Sequence, residues 1–223
     1  MSATEILARI IVLFTAISIH EFAHGFVAYK LGDPTAKYAG RLTLNPISHL
    51  DPIGAVCMAL FGFGWAKPVP VNPMYFKNRK RDNALVALAG PLSNILLAFL
   101  SLFFVAFYSK LGYVQVVDGN IAYLFENSIV EFGFILLCQL AILNICFAIF
   151  NLIPFPPLDG SKILSVFLSQ RSYAKFLIYE HLCFPILLLL SFTGVLGKLL
   201  DIFVSPVIDL WFICLENLIN LIS

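Results

Sequence analysis

His20, Glu21 and His24 are the residues of this sequence best placed to do chemistry together. The apolar run 10–19 leads into them, and 18–24 contains no helix breaker, so the stretch reads as helix. Two histidines at i and i+4 then lie one turn apart on one face, close enough to share a zinc ion. Glu21 projects about 100° around from His20. A catalytic zinc site needs three protein ligands and an open position for water, and a neighbouring glutamate serves as base to that water. Composition alone produces such a His-Glu-x-x-His match in only about two chains per thousand of this length. The bland reading is a solvated polar face, but an apolar helix is a costly place for three ionisable groups without a task.

The elements that hold these residues belong to a membrane. The chain is 60% hydrophobic and 12% charged, against about 25% charged in soluble domains. Segments 84–108 and 132–158 carry no charge, and each exceeds the ~20 residues that cross ~30 Å of hydrocarbon. A net charge of +1, with no basic run interleaved with aromatics, gives no footprint for nucleic acid. The five cysteines, Cys57, Cys138, Cys146, Cys183 and Cys214, form no CxxC pair, so free buried thiols are expected. The N-terminal run reads as a first membrane helix and not a removable signal peptide.

Helix one should span about 4–31 and stop at Gly32-Asp33-Pro34. The connections 30–41 and 66–83 both carry Lys and Arg, including Lys77, Arg79, Lys80 and Arg81, and both read as cytoplasmic. The apolar segment between them, about 51–65, must then dip in and return as a re-entrant hairpin. Residues 84–108 cross outward, 109–131 form an outer loop, and 132–153 return. Lys162, Arg171 and Lys175 mark the inner side again. Two further membrane helices, about 176–199 and 202–222, should be interrupted by Pro185 and Pro206. The expected fold is all-α, a polytopic bundle forming one integral-membrane domain over 1–223. Its site lies toward the cytoplasmic side of the cell membrane.

A third ligand is available where the fourth apolar segment ends. Pro154, Pro156 and Pro157 unwind the chain just before Asp159. That aspartate either completes a His₂-carboxylate set or caps the short helix that follows.

These motifs resemble the site-2 protease family of intramembrane zinc metalloproteases, in its compact branch without PDZ or CBS domains. The similarity runs through Gly40-Arg41-Leu42-Thr43-Leu44-Asn45-Pro46, His49-Leu50-Asp51-Pro52-Ile53-Gly54 and Ala89-Gly90-Pro91-Leu92-Ser93-Asn94. It implies one zinc ion per chain on His20, His24 and Asp159, Glu21 as catalytic acid/base, and a core of three membrane helices. The family's tight Asn-Pro-Asp-Gly is here spread over Asn151, Pro154 and Asp159-Gly160. The expected partner is a membrane-protein substrate with a transmembrane segment, met in the lipid bilayer.

Three further roles are expected around this core. Asn94, an amide in an uncharged helix, should face the bundle interior. There it either stabilises the oxyanion and touches substrate or acts as a helix-packing amide. The N–H groups of Val69 and Val71 lie on one edge of a proline-rich stretch and could pair with an extended substrate, or belong to an ordinary interfacial loop. His49 is either a pH-sensitive gate or auxiliary polar group near the site, within reach of substrate, or a satisfied loop histidine. Asp201, Asp209 and Glu216 read as a wetted helix face. The competing function is a non-proteolytic zinc-binding scaffold or metal-handling transporter, which would have no use for Glu21.

Overall fold

Residues 2–54, 65–117, 120–123, 125, 127–178 and 180–222 are described in a computed structural model. The first helix, α1, runs Ala3–Lys30 behind a capping box in which Ser2 and Glu5 bond one another's backbone. Short helices α2 (Thr35–Tyr38) and α3 (Pro46–His49) and a 3₁₀ turn (Pro73–Tyr75) lead to α4 (Arg79–Lys110), started by the Asn78 side chain. A two-stranded hairpin, β1 (Val114–Val117) and β2 (Asn120–Tyr123), precedes α5 (Ser128–Leu152). Then come α6 (Asp159–Leu164), α7 (Gln170–Ile178), α8 (Glu180–Phe192) and α9 (Val195–Ile222).

Four of these helices, α1, α4, α5 and the Val195–Ile219 part of α9, are long and apolar enough to cross a membrane. The protein is a polytopic helical bundle. Helix α4 is its hub, packing on α1, α5, α6 and α9. Small residues such as Ala16, Ala87, Ala98, Ser101 and Ala141 are buried along the contacts and let backbones approach. Between α4, α5 and α9 the core gathers Leu102, Phe134, Ile145, Trp211 and Leu215, and the Trp211 Nε1–H donates to Ala98 O at 3.1 Å.

Two expectations change, and a third falls outside the described residues. The outer loop holds the β1–β2 hairpin, with Val114 opposite Tyr123; Asp118-Gly119 between apolar runs was its signal. The C-terminal pair is divided differently. Pro185 and Pro206 both sit inside helices, as membrane helices tolerate when neighbours satisfy the freed backbone. The break falls instead at Gly194, whose φ of 71° ends α8. Finally, 55–64, the bulk of the expected re-entrant segment, lies outside the described residues. Its flanks meet: Leu50 bridges Ala66, and the Lys67 N–H donates to His49 O at 2.9 Å.

The segment beyond that bridge is clipped to α1. Asp33 is fully buried, accepts from the Thr35 N–H at 2.9 Å and the Thr35 hydroxyl, and takes the Asn72 N–H at 2.6 Å. Asp33→Ala strands these donors and is expected to cost on the order of 3 kcal/mol locally. Hydrogen exchange at the Asn72 amide should accelerate about a hundredfold; unchanged protection would show that the clip holds nothing.

Candidate metal centre

His20 and His24 project from the C-terminal half of α1, His24 about 9 Å from the helix end at 1.5 Å per residue. Their rings meet edge to face, centroids 4.6 Å apart, and the two Nε2 atoms are 3.0 Å apart. Residues 153–158 leave the helical path after α5, and Asp159 opens α6 on the far side of this pair. Its Oδ2 lies 3.2 Å from His20 Nε2 and 3.0 Å from His24 Nε2. The capping alternative fails on geometry, because the N-cap position of α6 is Leu158 and no side chain caps it. Oδ1 instead meets Lys162 Nζ at 3.2 Å.

The far side of each ring fixes what the near side offers. His24 Nδ1 is 2.7 Å from the Val86 carbonyl, which only accepts, so Nδ1 carries the proton. His20 Nδ1 is 2.6 Å from Asn94 Oδ1. Asn94 turns its NH₂ toward Asn144 Oδ1 at 2.6 Å, so its oxygen faces the ring and again Nδ1–H donates. A neutral ring protonated at Nδ1 has its lone pair on Nε2, so in that form both rings aim one at the same point as a carboxylate oxygen. Three acceptors within 4.8 Å of one another, with no donor between them, form a cation's donor set.

Space confirms the fit. A Cβ on Gly90 of α4 would lie 2.5 Å from His24 Nε2 and 2.6 Å from His20 Nε2. The glycine keeps open the volume on which the three acceptors converge. Gly90 entered the sequence reading only through the Ala89–Asn94 motif, and the Val86 carbonyl did not stand out. Asn144 did not either, although a lone amide in an uncharged helix is the signal that marked Asn94.

Glu21 Oε2 accepts the Val69 N–H at 2.8 Å. That bond engages the Val69 amide within the chain, as the alternative of an ordinary interfacial loop allows. Gly25 allows the approach, since a Cβ there would meet Val69 Cγ1 at 3.2 Å, and Val69 is buried against α1. Val71 packs on Ala28, Phe76 and Val86. His49 is buried and donates from Nε2 to Thr43 O at 2.8 Å, as a loop histidine would; its Nδ1 has no hydrogen-bond partner among the described residues. Asn94 is fully buried and engaged with His20, so the oxyanion role gives way to orientation of a ring. Asn151 bonds only its own turn, at Phe147 O. Asp201, Asp209 and Glu216 are exposed along α9, as a wetted face would be.

Residues 8–192 match peptidase family M50. The chain belongs to that family. YwhC of Bacillus subtilis, named as a proposed zinc metalloprotease, is 40% identical over 184 residues, 82% of this chain and 80% of its own. Rip2 of Mycolicibacterium smegmatis is 28% identical over 191 residues, 82% of this chain and 66% of its own. MJ0392 of Methanocaldococcus jannaschii, named a zinc metalloprotease, is 29% identical over 161 residues, 72% of this chain but 34% of its own. No solved structure matches this M50 chain. The site-2 protease resemblance read from the motifs holds, and the M50 match includes His20, His24, Gly90, Asn94, Asn144 and Asp159.

Proposed function

We propose that this M50 chain is a zinc-dependent endopeptidase that hydrolyses peptide bonds in or near the transmembrane segments of membrane-protein substrates. One observation carries the reading: two imidazole lone pairs and a carboxylate oxygen converge beside a glutamate one residue along the helix. Ligand atoms bonded to tetrahedral zinc at about 2.0–2.1 Å stand roughly 3.3 Å apart; these stand 3.0–3.2 Å apart. The names of YwhC and MJ0392 support the same metal and reaction. His20, His24 and Asp159 would hold one zinc ion per chain.

Zinc, when bound, polarises a peptide carbonyl and lets water lose a proton near neutral pH. Glu21 takes that proton on Oε1, its other oxygen being held by the Val69 amide, and returns it to the departing amine. Lys162 engages Asp159 Oδ1 and keeps Oδ2 aimed at the rings. Buried Asn94 and the Val86 carbonyl hold both imidazoles in the one tautomer that serves. The basic residues at 77–81 and at Lys162, Arg171 and Lys175 favour a cell-membrane protein whose site opens toward the cytoplasm.

The test measures zinc in purified protein and offers single-span membrane substrates in lipid vesicles. About one zinc per chain, with cleavage lost on chelation and regained on adding zinc, is the expected result. Zinc without cleavage of any substrate tried would favour the scaffold or transporter reading. Cleavage that survives complete removal of metal would overturn the proposal.

A further inference from the structure

We propose that Asn144, on α5, is a positioning residue of the metal centre: through Asn94 it fixes which nitrogen of His20 is free to bind. The inference rests on the zinc reading above. It starts from a backbone carbonyl with only one role open to it. Leu140 O can only accept, so the group 2.7 Å away must be the Asn144 NH₂. That leaves Asn144 Oδ1 to accept, and the group 2.6 Å from it must be the Asn94 NH₂. Asn94 Oδ1 is then the atom that faces His20 Nδ1 at 2.6 Å. Each role forces the next. The chain ends with a proton on Nδ1 and a lone pair on Nε2.

Asn94 and Asn144 are both fully buried, where water cannot substitute for a lost partner. Without Asn144, Asn94 can flip, presenting its NH₂ to His20. Nδ1 would then have to accept and Nε2 would carry the proton, which excludes a metal from that nitrogen. His24 needs no such relay, because the Val86 carbonyl fixes it directly. Both ring tautomers thus trace back to backbone carbonyls, one directly and one through two amides carried by α4 and α5.

Asn144→Leu keeps the γ-branched shape, with somewhat larger ends, and removes the hydrogen bonds. Asn144→Asp, which stays protonated at this buried position, reproduces both the donor and the acceptor. Zinc affinity is measured by chelator competition on detergent-purified protein, together with the visible spectrum of the cobalt form. Asn144→Leu is expected to weaken zinc about 10- to 100-fold and alter the cobalt spectrum, while Asn144→Asp stays within about threefold of wild type. The double variant with Asn94→Leu should be no weaker than Asn94→Leu alone, because the relay acts through that amide. Wild-type affinity in Asn144→Leu would overturn the proposal. Equal loss in the Leu and Asp variants, or additive losses in the double variant, would also overturn it by making the amide a packing element. A wild type that takes up no zinc removes the metal reading itself, and the relay with it.

Discussion

Gly90→Ala should empty the site of metal, lowering zinc affinity by at least about 100-fold, or ~2.7 kcal/mol. The added Cβ would stand 2.5–2.6 Å from the two Nε2 atoms, nearly an ångström inside ordinary contact. The rings cannot easily yield, since each is pinned at Nδ1 by a buried acceptor. Helix propensity works the other way. Alanine at an interior position gains about 1 kcal/mol over glycine, so α4 should form at least as well and the loss cannot be blamed on unfolding. Chelator competition read beside helix content checks this. Zinc bound at wild-type strength would mean that the cation does not sit between α1 and α4.

Glu21→Gln should separate binding from chemistry. Glu21 is not one of the three converging ligands, and glutamine preserves its size and its acceptor for the Val69 amide. Zinc content should therefore stay within a few-fold of wild type. What is lost is a carboxylate able to take a proton, and general acid–base catalysis contributes about 10²–10⁴ in rate. Cleavage of a single-span substrate under saturating zinc should fall by that factor. Undiminished cleavage would remove Glu21 from the reaction. Parallel loss of zinc would make its role structural.

Local periodicity was enough for His20, Glu21 and His24, because the helix that presents them is written in their own neighbourhood. Asp159 was half legible. The prolines before it announced an unwound chain, but capping and inward aim look the same until α1 and α6 are brought together. Asn94 was correctly placed inside by its polarity in an apolar helix, while its partner depended on how α4 registers against α1, which no short window encodes. The same polarity signal applied to Asn144 and went unused. Alternating proline and valine left amide protons at Val69 and Val71, and the Val69 N–H bonds Glu21. Which way that edge faces was set by Gly25, forty-four residues earlier in sequence. At the C-terminus proline was overweighted as a breaker and Thr193-Gly194 underweighted as a stop.

Val86, Gly90 and Asn94 recur every fourth residue on α4 and meet the two histidines in turn. Sliding α4 along α1 by less than a full ~5.4 Å pitch would break all three engagements together. The pair is therefore a fixed jaw. Whatever room a polypeptide needs to reach the cation has to open on the remaining walls, at α5, at α6 or where the proline-valine segment leans on Glu21.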